Sequence, residues 1–120
     1  MNRFSRMLVL AALAAVPLLA GAHASLKSSA PAQGSRVTSP SKLEMHFSDT
    51  VQLKSVTLAR KGDAAARPVK PLPEEWGSHF SLPLEPLQAG DYEVTWTVDT
   101  DDGHAATGKI RFTVVAAGGE

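Results

Sequence analysis

Between residues 92 and 98 every second position is apolar: Tyr92, Val94, Trp96 and Val98 alternate with Glu93, Thr95 and Thr97. A two-residue period belongs to a strand with one face in a core and the other in water. A helix would repeat at about 3.6 residues. The same pattern returns in Leu43, Met45 and Phe47, which alternate with Glu44, His46 and Ser48. It returns again in Ile110, Phe112 and Val114, set between Lys109, Arg111 and Thr113. Leu53, Val56 and Leu58 mark a further segment, and shorter strands are expected near 25–29 and 79–84. Pro31 and Gly34, the run 88–91 and Asp101-Asp102-Gly103 are turn signals. Residues 61–78, with Pro68, Pro71 and Pro73, have the composition of a loop. No stretch beyond residue 22 sustains a helical period. Six or seven short strands in one domain predict an all-β, two-sheet antiparallel sandwich. Trp96 is in phase with Tyr92 and Val94 and is assigned to the core, and Trp76 is also assigned to packing.

Residues 1–22 have the layout of a secretory signal. Arg3 and Arg6 precede an apolar run over 7–20 broken only by Pro17, and Ala20-Gly21-Ala22 fits the small-residue cleavage rule. The run is short for a membrane span, which needs about 20 apolar residues. The alternative is an uncleaved anchor. Cleavage after Ala22 predicts an exported, periplasmic protein. It has one domain over 23–116 and a flexible tail over 117–120. The chain carries 12 basic and 12 acidic residues. Loss of Arg3 and Arg6 leaves ten against twelve, a net of −2. That balance excludes the basic footprint of a nucleic-acid binder and a polybasic membrane patch. The absence of cysteine excludes disulfides, thiolate metal sites and cysteine nucleophiles.

With that cleavage His23 becomes the first residue. An N-terminal His offers its α-amine and its imidazole Nδ1 to one metal ion. The amine ordinarily titrates near ~8, so a metal can displace its proton. The alternative is that some residue must follow the cleavage site and His23 does so by chance. Three more histidines remain: His46, His79 and His104. His104 follows Asp102 by two positions, and with His23 this gives three nitrogens and one oxygen. Such a set suits tetragonal Cu(II), which the Irving–Williams order also favours. The competing reading is that Asp-Gly simply makes a polar hairpin turn. His46 belongs to the solvent face of its strand. His79 could be a surface ligand, but no partner for it is evident. Asp49 is placed at a strand end, as a turn residue ahead of a supporting carboxylate. Met45 is the only Met beyond residue 22, too few for a thioether Cu(I) site. Gly-x-Ser-x-Gly, phosphate-binding glycine loops and His-Glu-x-x-His are absent.

Taken together, these segments resemble the CopC-type periplasmic copper-binding proteins. The likeness begins at His23-Ala24-Ser25-Leu26. It continues in Ser29-Ala30-Pro31-Ala32-Gln33-Gly34-Ser35, similar to S-x-P-x-x-G-S. Residues 43–49 resemble L-x-L-x-F-S-E, with Met45 and Asp49 as conservative departures. Residues 87–96 resemble L-x-x-G-x-Y-x-V-x-W, and Asp102-Gly103-His104 with Gly108 and Phe112 resembles D-G-H-x-x-x-G-x-x-x-F. The resemblance spans about 23–115. It implies a seven-stranded Greek-key sandwich or barrel, cupredoxin-like or immunoglobulin-like, that binds Cu(II) through His23, Asp102 and His104. Some members carry His at the third mature position, where this chain has Ser25. Others carry a methionine-rich loop, and 61–78 has no Met.

The expected function is that of a soluble carrier or buffer for one Cu(II) ion in copper resistance or homeostasis, not an enzyme. Its partners would be a membrane copper importer or another periplasmic copper protein. Two rival readings are a histidine-brace copper monooxygenase and a sandwich module with no metal role. An aspartate ligand argues against the first, because oxygen activation wants that coordination position open.

Overall fold

The computed structural model describes residues 24–116. The predicted signal, its cleavage site, His23 and the tail over 117–120 lie outside the described residues. Seven strands and no helix make up the described chain. They are β1 (Leu26–Ala30), β2 (Arg36–Thr38), β3 (Lys42–Arg60), β4 (Arg67–Pro68), β5 (Gly77–Pro83), β6 (Gly90–Thr100) and β7 (Ala105–Val115). The all-β class and the count of seven agree with expectation.

The strands form one curled sheet in the order β1-β3-β6-β7-β2, with β4 and β5 also on β3. The curl originates in β3. Its first half pairs with β1, from Ala30↔Glu44 to Leu26↔Phe47, and with β5, from Lys42↔Pro83 to His46↔His79. Its second half pairs with β6, from Val51↔Thr100 to Arg60↔Tyr92, and briefly with β4. One strand thus belongs to two layers. The change of partners falls where the alternation breaks. Asp49 is in phase with Leu43, Met45 and Phe47, yet it is exposed, and the buried series resumes at Val51. A second register shift between Leu53 and Ser55 moves the next buried residue to Val56. Such irregularities bend a strand and strengthen its twist.

Residues expected as two strands are therefore a single one of 19 residues. Asp49 lies within that strand and not at its end. β2 pairs with β7 in parallel, Arg36 opposite Thr113, the one parallel ladder among the described residues. The loop-like stretch holds the two-residue β4 and ends where β5 begins.

The core lies between the layers. Phe47 packs edge-on against Trp96 at 5.1 Å and against Phe80 at 6.0 Å. Edge-to-face contacts of this kind add to the area they bury. Met45 is 1% exposed, so its thioether belongs to the core. Trp96 is buried as expected, whereas Trp76 is exposed at 46%, against its assignment to packing. Gly108 lies opposite Trp96 across β6 and β7. A Cβ at Gly108 would stand 2.4 Å from Trp96 Cζ2, so the indole occupies the space a side chain would need.

Candidate metal centre

The hairpin joining β6 to β7 turns over Thr100–His104. The Thr100 N–H donates to the His104 carbonyl at 2.8 Å, and the Gly103 N–H donates to the Thr100 carbonyl at 3.1 Å. Gly103 has φ 89°, in the left-handed region that a residue without Cβ enters at little cost. Thr100 is buried. It continues the inward phase of Tyr92, Val94, Trp96 and Val98, but with a hydroxyl where the strand would place an apolar group. That hydroxyl donates to Asp102 Oδ1 and accepts the His104 N–H at 3.1 Å. The His104 N–H also reaches Asp102 Oδ1 at 3.3 Å.

The imidazole completes the arrangement. His104 Nδ1 lies 3.1 Å from Asp102 Oδ1, with the two side chains 62% and 50% exposed. Hydrogen bonds from Thr100 first and the His104 ring second hold the Asp102 carboxyl down from 3.8 to about 2. The His104 backbone N–H and ring charge act in the same direction, and slight desolvation opposes them. With Nδ1–H given to the carboxylate, the lone pair of the ring sits on Nε2. A carboxylate behind one ring nitrogen is the usual partner of a histidine that binds metal through the other. The donor chemistry therefore fits a borderline divalent ion.

The start of the described chain lies at the same end of the molecule. Ala24 is buried. The Ser25 N–H donates to Ser48 Oγ at 2.9 Å, and the Ser48 N–H donates to the Ser25 carbonyl at 2.8 Å. Three residues further along β3, Val51 pairs with Thr100. At about 3.3 Å per residue, Ser48 and Val51 are about 10 Å apart along the strand. Asp49 stands between them, exposed, with Oδ1 accepting the Thr50 N–H at 2.9 Å. Asp49, Asp101 and Asp102 are exposed carboxylates at this end.

Of the sequence-predicted ligands, Asp102 and His104 are brought together, and His23 lies outside the described residues. Among the described residues no three His, Asp or Glu side chains converge as a metal cage. The hairpin tip is thus a partial site that needs further donors. His46 and His79, read from sequence as unrelated, face each other across β3 and β5. Thr100 escaped the sequence reading. Its signal was a hydroxyl at a core-phase position two residues before Asp102.

The CopC domain profile matches residues 26–115, most of the chain. The chain belongs to the CopC family. Copper resistance protein C of Pseudomonas syringae pv. tomato is 36% identical over 123 residues, covering 95% of this chain and 98% of the relative. Copper resistance protein C of Escherichia coli is 35% identical over 109 residues, with coverages of 82% and 86%. Among solved structures, CopC from Methylosinus trichosporium OB3b superposes with a TM-score of 0.65 at 23% identity. It covers 82% of this chain and 99% of its own, a likeness of fold. PcoC, the methionine-rich copper resistance protein from Escherichia coli, superposes with a TM-score of 0.55 at 31% identity, over 78% of this chain and all of its own. This CopC-family chain departs from such a methionine-rich relative, since its one methionine among the described residues is buried.

Proposed function

We propose that the protein is exported to the periplasm, is cleaved after Ala22, and binds one Cu(II) ion as a carrier or buffer in copper resistance. The observation that carries this reading is the contact of His104 Nδ1 with Asp102 Oδ1, which fixes the ring and assigns metal binding to Nε2. In this reading His104 Nε2 is one donor. Asp102 fixes the ring through Nδ1 and supplies negative charge; to give the ion a carboxylate oxygen as well, it would have to leave Nδ1. His23 closes a chelate through its amine and imidazole. The segment that follows His23 is anchored to Ser48 at the end of the molecule that bears the hairpin tip, which favours this grouping. The relatives named copper resistance protein C support the biological setting. The protein acts by capturing and releasing the ion, to a membrane copper importer or to another periplasmic copper protein. Nitrogen and oxygen donors with a buried Met45 favour Cu(II) over Cu(I).

Blocking the chelate tests the reading. Cu(II) is titrated into protein that begins at His23 and into protein extended by one N-terminal Met. The extension removes the amine from His23 and lowers affinity sharply. Equal affinity in the two proteins would exclude the amine as a ligand.

A further inference from the structure

The outer face of the layer formed by β1, β5 and the first half of β3 carries a second pair of imidazoles. His46 and His79 are register partners on β3 and β5. Their rings lie 5.6 Å apart, centroid to centroid, and 26° from parallel, and both residues are exposed. Directly opposite positions on an antiparallel pair separate Cβ atoms by about 4.5–5.5 Å. From such positions rotation of the side chains can bring one nitrogen of each ring to about 2.0–2.1 Å from a shared ion. The neighbours leave room for that. Ser28 is the β1 partner of His46. Ser48 lies two residues beyond His46, and Ser81 two residues beyond His79. Their short side chains let water complete a coordination shell. Glu44 shares this face, but Lys42 holds its carboxylate at 3.3 Å, so it is not counted as a ligand.

We propose that His46 and His79 form a second, weaker site for a borderline divalent ion, Cu(II) or Zn(II), distinct from the hairpin tip. Imidazole suits both ions, and two protein donors with water give a shallower well than a full cage. The proposal shares no residue with the His23, Asp102 and His104 reading and stands or falls apart from it. It also has a mechanical consequence. Among the described residues β5 pairs only with β3, so an ion bridging the two strands ties this strand down. An ion that binds only the folded state raises stability with its concentration.

Calorimetric titration of Cu(II) into the protein beginning at His23 should show two binding events. His46→Ala and His79→Ala each remove the weaker event and leave the tighter one, while His104→Ala does the reverse. Excess Zn(II) should raise the melting temperature of His104→Ala, and should leave that of the double variants His104→Ala/His46→Ala and His104→Ala/His79→Ala unchanged. Both positions are exposed, and circular dichroism confirms that the variants fold. A single event in the native protein, or Zn(II) stabilisation of His104→Ala that survives the added loss of His46 or His79, overturns the proposal.

Discussion

Thr100 shows how one side chain sets the character of its neighbours. Its buried hydroxyl is the largest cause of the low Asp102 titration, at about 2 instead of 3.8. A carboxyl lowered in this way stabilises the fold above its ordinary range, and that contribution is lost as pH falls from 3.8 through about 2. Asp102 therefore stays ionised through the mildly acidic range in which imidazoles ordinarily take up protons. Copper release on acidification should follow the nitrogens and not Asp102. Thr100→Val keeps the shape and removes the hydroxyl. In this variant the Asp102 midpoint, followed by carboxyl NMR, should rise from about 2 toward 3.8, and Cu(II) affinity should fall by roughly 10–100-fold, as for other groups that orient a ligand. His104→Ala should cost more, since it removes a donor, and Asp102→Asn less, since a neutral oxygen remains. An unmoved Asp102 midpoint in Thr100→Val would show that the hydroxyl does not hold the carboxylate.

At the scale of elements, the contact between β6 and β7 depends on the missing side chain at Gly108. Adding a methyl group there meets Trp96 ring carbons at 2.4 and 2.8 Å. Gly108→Ala should cost about 1–3 kcal/mol, as other overpacked sites do, and lower the melting temperature by several degrees. An unchanged melting temperature would mean that the indole moves aside freely. β6 and the second half of β7 were legible because their alternation is unbroken; residues 105–108 of β7 were not, because Ala106 and Gly108 put no large apolar side chain on the inward face. The continuity of β3 was not, because exposed Asp49 occupies a core-phase position and the phase slips again near Ser55. β2 offered only Val37 in three residues, and its parallel partner lies some 75 residues away. Asp102 and His104 could be paired from their spacing, since a tight turn keeps them together. The meeting of His46 and His79 depends on the register of β3 against β5, which neither segment encodes alone.

On the scale of the whole molecule, the hairpin tip and a cleft lined by several basic residues lie at opposite ends of β6. The hairpin tip carries Asp101, Asp102 and His104, where β6 leaves Thr100. At the other end of that strand, beside Tyr92, the cleft of about 790 Å³ is lined by Arg60, Arg67 and Lys70, with Asp63 and Glu85 among its apolar residues. Between these ends β3 runs through both layers, and that continuity bears on how the protein comes apart. Each half of β3 has its own ladders, but the backbone is shared, so parting the β1 and β5 side pulls on the strand that the β6 side holds. Unfolding should therefore be one cooperative event, without a half-folded form to hold an ion loosely or to shed it early. Native-state hydrogen exchange should give the amides of Met45 and Val56 the same opening free energy and the same denaturant dependence. A lower value confined to 43–47 would show that the layers part independently. With a single opening event, the share of the protein that is folded would set how much copper it can hold at any moment.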